Sequence, residues 1–189
     1  MTAYSNPHHL VMGTLTDFLT RQTLPDTHDE RYRQKIARLL VETAGYSAKD
    51  IISRIPVTVR AGTRKAVVKV DYMVNFSGHN VMMLRYAPGS LVTRRLSTLA
   101  LSRIVSDCQI PYVVMTNGET AEILDGDSGK VLASGLEQLP HRKTILNQMH
   151  AFSFKPIDSA LREKAFRIAY ACEVDDACPC DTDICVLDD

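Results

Sequence analysis

Residues 66–74 (AVVKVDYMV) and 81–86 (VMMLRY) are two apolar, β-branched runs separated by Ser77-Gly78-His79-Asn80. Runs of that length on either side of a Gly-containing turn predict neighbouring strands. The first run carries a carboxylate, Asp71, among apolar neighbours. Side chains alternate across a strand, so Val68, Val70, Tyr72 and Val74 are expected on one face and Val67, Lys69, Asp71 and Met73 on the other. A carboxylate inside a half-buried strand needs a partner or a purpose, and that requirement constrains the rest of the reading.

The pattern around this hairpin predicts an α/β chain with a mixed sheet. Thr27-His28-Asp29-Glu30 has the capping-box form ahead of a helix over about 28–44. That helix would bury Tyr32, Ile36, Leu39, Leu40 and Thr43, with Gly45 as its stop. Ile55, Val57 and Val59 alternate within RIPVTVR (54–60), as in a half-buried strand. Pro88-Gly89 precedes a helix over 91–107, and IPYVVMT (110–116) reads as a fully buried strand. Residues 121–125 and 130–134 form a closing hairpin. Beyond residue 140 the pattern turns helical, over 142–152 and again over 160–173 behind the cap Asp158-Ser159.

The expected organisation is an arm or short helix over 1–26, a core over 27–140, a C-terminal helical segment over 141–173 and an acidic, cysteine-rich tail over 174–189. With 189 residues there is material for one core of ordinary size. No apolar run reaches the ~18 residues of a membrane helix, so no membrane partner is expected. The N-terminus lacks the basic start and apolar stretch of a secretory leader, which makes the cytoplasm the default location.

Net charge is zero, but seven acidic residues and no Lys or Arg follow Cys172, leaving 22 basic against 15 acidic residues in the body. A basic body attracts nucleic acid, although basic residues are also ordinary solvated surface. Arg94, Arg95, Arg103 and Lys65, with Arg64 and Arg85 near by in sequence, are the candidates for phosphate contacts. A tail of opposite charge could fold over the basic face and compete with such a ligand. Four of the five cysteines, Cys172, Cys178, Cys180 and Cys185, crowd the C-terminal end. Four thiolates can close a Zn²⁺ site or hold an iron–sulfur cluster. The spacing is not that of paired C-x₂-C modules, and a solvated acidic tail or a redox-labile one are the alternatives, with Cys172 also suited to core packing.

Five stretches together carry a resemblance. They are Glu30-Arg31-Tyr32-Arg33-Gln34; Leu40-Val41-Glu42 with Gly45-Tyr46; Val70-Asp71-Tyr72; Tyr86-Ala87-Pro88-Gly89; and Pro111-Tyr112-Val113-Val114 leading to Thr116-Asn117-Gly118. In order and spacing, residues 29–140 resemble the N-terminal domain of type I restriction enzyme R subunits, in stand-alone form. The resemblance implies a restriction-endonuclease-like mixed β-sheet flanked by helices, with an Asp…Glu-x-Lys site for Mg²⁺-dependent DNA cleavage. It places the Asp at Asp71 and a helix carboxylate at Glu30. The Glu and Lys positions hold Leu84 and Tyr86, and Arg85 between them is expected to point away.

Mg²⁺ needs hard oxygen ligands, and the lysine would orient the attacking water or neutralise developing charge. Lys69 shares the expected face of Asp71 and is the one residue placed to substitute. The bland alternatives are a surface lysine paired with Asp71, capping duty for Glu30 and core packing for Tyr86. The favoured expectation is a non-cleaving nuclease-fold protein that binds DNA or a protein partner. An active Mg²⁺-dependent endonuclease using Asp71, Glu30 and Lys69, and a metal- or redox-responsive interaction protein, are the competing expectations.

Overall fold

The computed structural model describes residues 10–175 and 184–187. The chain opens with a small hairpin, β1 (Thr14–Thr16) and β2 (Thr23–Pro25), where a short helix or arm was expected. The turn between them is built on Asp17, whose carboxylate accepts the backbone N–H groups of Leu19 and Thr20 at 2.9 and 2.8 Å. An Asx-type turn competes successfully with a helix of three turns or fewer.

Helix α1 (His28–Arg38) follows, with Thr27 as N-cap accepting from the Glu30 N–H. It runs into one wide π-type turn over Leu39–Thr43, and Gly45 ends it at φ +78°. Strand β3 (Ile51–Ala61) and β4 (Arg64–Phe76) then form a long hairpin, and β4 turns into β5 (His79–Tyr86). Helix α2 (Leu91–Val105) is the crossover to β6 (Tyr112–Thr116), which pairs parallel with β5. The other pairings are antiparallel, through β7 (Ala121–Asp125) and β8 (Val131–Ser134). Helices α3 (Arg142–Gln148) and α4 (Ser159–Tyr170) complete the body, and β9 (Cys185–Leu187) returns to pair with β4. Among the described residues the sheet order is β3-β4-β5-β6-β7-β8, with β9 beside β4. The architecture is a central mixed sheet flanked by helices, and no helix among the described residues is long and apolar enough to cross a membrane.

Each face of the sheet buries its own core. Ile36 of α1, Leu40 of the wide turn after it and Ile145 of α3 pack on Tyr72, Val74, Leu84 and Val114. Leu101 of α2 and Ala165 and Ala169 of α4 pack on Val68, Val70, Met83 and Val113. One expectation is corrected here. Val68 and Val70 do not share a core with Tyr72 and Val74: the strand changes face at Asp71. The cause lies across the hairpin, where Ser53 pairs with Tyr72 and Ile55 with Val70, while Arg54 and Asp71 between them do not pair. Arg54 adopts φ +56°, a left-handed conformation costly for a residue with a side chain. On α2, Leu96 is 56% exposed, and the small residues Ser97, Thr98, Ala100 and Ser102 face the sheet.

Candidate functional site

The face change creates a fork. The β4–β5 ladder covers Tyr72–Phe76 against His79–Leu84 and stops there. Beyond it, β5 stays with β6 through Tyr86, while the outer half of β4 leaves with β3. Parting strands leave backbone groups that must be satisfied some other way. Side chains do it here. The Asp71 carboxylate accepts the Tyr86 N–H at 2.7 Å, and the Arg85 guanidinium donates to the Lys69 carbonyl.

Asp71 is the middle of a chain of buried carboxylates and half-buried guanidinium groups. Its other oxygen accepts Arg33 Nε at 2.8 Å, and Arg85 Nη1 lies 3.9 Å from the oxygen that holds the Tyr86 amide. Arg33 also approaches Glu30, at 3.9 Å. The Glu30 carboxylate accepts from Arg54 at 2.5 Å and from Gln34 at 2.7 Å. Arg54 reaches Asp17 at 3.2 Å, and Gln34 donates to the same Asp17 oxygen at 3.0 Å. At the far end Arg85 donates to Glu173 at 2.6 Å. The order is therefore Asp17, Arg54, Glu30, Arg33, Asp71, Arg85, Glu173, running from the N-terminal hairpin to the turn after α4. The four carboxylates are each less than 9% exposed.

The protonation of this chain follows from its partners. Burial alone would raise the Asp17 pKa, but the Thr20 amide, Gln34 and Arg54 outweigh it and hold the carboxyl below its ordinary range. Burial likewise works against the charges of Arg54 and Arg85. Glu30 and Asp17 in the first case, Glu173 and Asp71 in the second, raise both guanidinium pKa values above the usual one.

The positions expected to carry Glu and Lys are filled differently. Leu84 is 1% exposed and belongs to the core under α1. Tyr86 is buried, its ring lies 5.8 Å from Tyr32 in a near-parallel stack, and the Arg33 guanidinium sits over it at 5.5 Å. The Tyr86 hydroxyl meets Asp29 at 3.0 Å, and burial followed by that carboxylate pushes its pKa up. Arg85 does not simply point away: it reaches back across the fork to Asp71, as its ion pair with that residue records. Lys69 is exposed, and its carbonyl accepts from Arg85 at the fork. Glu30 does not join Asp71 directly, since Arg33 stands between them.

The residues present do not fit a Mg²⁺ ion. Both Asp71 oxygens already accept hydrogen bonds, two guanidinium groups flank them, and the second ligand position is an aliphatic side chain. A divalent cation there would have to displace Arg33 and stand beside Arg85 without the usual carboxylate pair. What the geometry can do is hold the fork closed and rigid, with arginine where the resemblance implies a metal.

The other candidates are dispersed. Arg95 is taken by Glu122 in a bidentate pair at 2.6 and 2.5 Å, which neutralises it and, through the hydrogen bonds from Arg95, lowers the Glu122 pKa. Arg103 donates to the Asp127 carbonyl, and burial lowers its pKa. Arg94 is half-buried in the first turn of α2, and Lys65 lies on the outer half of β4, a different surface. Of the cysteines, Cys172 is half-buried and Cys185 is exposed on β9, while Cys178 and Cys180 lie outside the described residues. Among the described residues no group of three His, Cys, Asp or Glu side chains is placed to hold a metal.

Sequence reasoning found Asp71 and Glu30 but not the arginines that join them. Arg33, three residues after Glu30 on one helix, carried a readable signal. Arg54, Asp17 and Glu173 carried none, because their meeting depends on the positive φ at Arg54 and on the returning C-terminal segment.

The central mixed sheet flanked by helices makes this an α/β domain. The chain belongs to the family described as type I restriction enzyme R protein N terminus, which matches residues 28–140, from the first residue of α1 to the end of the loop after β8. No curated protein and no solved structure gives a match.

Proposed function

We propose that this protein is a non-cleaving member of its family, a restriction-endonuclease-like domain that binds nucleic acid without metal-dependent cleavage. The observation that carries the reading is the pairing of Asp71 with Arg33 and the Tyr86 amide. Cleavage by this class of site needs a carboxylate free to hold a cation and a lysine to handle the attacking water. Here the carboxylate is spent on the fork, and Leu84 and Tyr86 supply neither a second ligand nor a proton carrier. Losing one electrostatic stabiliser already costs about a hundredfold or more in rate, and two are missing on one strand. The charge of the body and the family's association with restriction enzymes support nucleic acid as the ligand over a protein partner.

The test is cleavage and binding measured together. Plasmid and labelled single strands are incubated with Mg²⁺ or Mn²⁺ and the wild type or Asp71→Asn, and oligonucleotide binding is followed by fluorescence anisotropy. The proposal expects salt-sensitive binding by both proteins and no cleavage by either. Metal-dependent cleavage that disappears in Asp71→Asn would establish the competing reading, a rearranged endonuclease. Absence of any binding at low salt would reject nucleic acid as the ligand.

A further inference from the structure

Helix α2 carries an apolar stripe on the side turned away from the sheet. Val92, Leu96 and Leu99 follow one another at intervals of four and three residues, which places them within an arc of about 60°. Val92 and Leu96 are 62 and 56% exposed, while Leu101 on the opposite side lies in the core. The stripe runs on into the edge of the sheet. Leu99 stands against Gly129, just ahead of β8, where a Cβ would lie 2.6 Å from its Cδ2. On β8, Val131 opposes Leu124, which belongs to the core that α2 covers, so Val131 points to the α2 side and Leu132 follows at the bulge. These two are 41 and 55% exposed. Among the described residues the other large exposed apolar side chains are spread over β3, α3, β9 and the residues ahead of β1.

The exposed fractions of Val92, Leu96, Val131 and Leu132 amount to about 400 Å², close to the apolar share of the roughly 800 Å² that each partner buries in a stable dimer. The arginines of this side of α2 are held within the chain. Arg95, beside the stripe, is taken by Glu122, and Arg103, four residues after Leu99, donates to the Asp127 carbonyl. Arg94 is turned about 160° from Leu96. A nucleic-acid backbone or a charged peptide finds little to hold on such a stripe, whereas an uncharged apolar surface fits it. The spacing is also the same in both directions, since Val92, Leu96, Leu99 and Arg103 are separated by four, three and four residues. A two-fold axis between Leu96 and Leu99 therefore sets each Leu96 against the other copy's Leu99, and each Val92 against the methylenes of the other copy's Arg103. The two Arg103 guanidinium groups then stand at opposite ends of the seam, and the helix dipoles run antiparallel. Strand β8, with four residues and a bulge opposite Ile123 and Leu124, is badly shaped to pair with its own copy, so helices rather than strand edges make the contact.

We infer that this protein associates with a second copy of itself as a two-fold dimer through α2, with Val92, Leu96 and Leu99 in an antiparallel helix seam and Val131 and Leu132 closing its flank. The inference is independent of the nucleic-acid reading above. Burial of apolar surface drives the association, so it follows protein concentration and is little affected by salt, unlike the contacts of a nucleic-acid backbone.

Sedimentation equilibrium of the full chain without nucleic acid, over about 1 to 100 µM, reads the association directly. The wild type should approach twice the 21.1 kDa mass of the chain, at low and at high salt alike. Leu96→Asp places an unpaired carboxylate in the seam twice per dimer and should weaken association about a hundredfold or more. Its circular dichroism and urea midpoint should stay those of the wild type, because the side chain it replaces is already in solvent. Val92→Asp, on the same stripe, gives a second reading should the first variant fold poorly. Ile52→Asp, at a residue of β3 that is 51% exposed, should leave the dimer intact. A wild type that stays at 21.1 kDa throughout would overturn the inference. So would a dimer that survives both Leu96→Asp and Val92→Asp, or one that Ile52→Asp abolishes equally.

Discussion

The Asp71 carboxylate accepts the backbone N–H of Tyr86 at 2.7 Å, at the point where β4 has already turned away from β5. A side chain thus replaces the ladder bond that a parting strand cannot make. The same carboxylate neutralises Arg33, so one residue closes the fork and anchors the ion chain.

Truncating Asp71 should therefore be felt in the fold. Asp71→Ala leaves Arg33 and the Tyr86 amide without their partner in a site that is 5% exposed. Breaking a buried pair in this way costs about 3–5 kcal/mol, whereas Asp71→Asn keeps an acceptor for the amide and should cost less. Urea unfolding of both variants measures the order. A change within about 0.5 kcal/mol for Asp71→Ala, the size of an ordinary surface substitution, would contradict the role assigned to it.

A glutamate placed at position 84, where the resemblance implies one, should not bring cleavage. Leu84 sits 1% exposed under α1, among Tyr72, Val114 and Ile36. In Leu84→Glu a carboxylate replaces an aliphatic chain in that core, with a desolvation penalty of several kcal/mol. The expected outcome is a melting temperature lowered by many degrees and no metal-dependent cleavage. A stable Leu84→Glu protein that cuts DNA would show that the pocket has room for a ligand after all.

The pH dependence follows from Asp17. Its folded-state pKa lies below the ordinary value of 3.8, because the Thr20 amide, Gln34 and Arg54 outweigh burial. A depressed carboxylate pKa contributes stability that is fully present above the unfolded value and is lost as pH falls through the folded one. Stability of the wild type should decline as the pH drops below about 4, and Asp17→Asn should show a shallower decline over the same range. Urea midpoints measured from about pH 3 to pH 6 decide it; parallel curves for the two proteins would remove Asp17 from the account.

Gly118 should tolerate no side chain. At φ +86° a Cβ would stand 2.1 Å from Tyr32 Cδ1, and Tyr32 is itself stacked on Tyr86. Gly62 has φ +64° but open space around it. Gly62→Ala should cost about 1 kcal/mol for the backbone conformation alone, and Gly118→Ala about 2 kcal/mol more for the displaced ring. Equal costs in thermal unfolding would mean that the Tyr32–Tyr86 stack is loose.

The parts of this fold that the sequence made legible are those set by local pattern. The cap Thr27, the buried run of β6, the turn at Ser77-Gly78 and the closing hairpin all depend on neighbours in the chain, and the residues around them say so. That Leu84 and Tyr86 stand where the resemblance implies Glu and Lys could be read directly. The fork could not. It depends on Arg54 taking a left-handed conformation, which no local pattern demanded, and on Asp17 and Glu30 holding that residue from two other elements. The strict alternation expected along β4 fails at Asp71 for the same reason. Arg85 was expected to point away because alternation places it on the opposite face. A long guanidinium side chain crosses the fork all the same, drawn by two carboxylates.

Guanidinium groups stand at Asp71, where the resemblance implies a metal. Electron paramagnetic resonance of Mn²⁺ titrated into the wild type and into Asp71→Asn tests it without depending on any substrate. The expected result is that the two proteins bind Mn²⁺ alike, any uptake by the acidic C-terminal segment being common to both. A bound Mn²⁺ signal present in the wild type and lost in Asp71→Asn would contradict it and place a cation where Arg33 now stands.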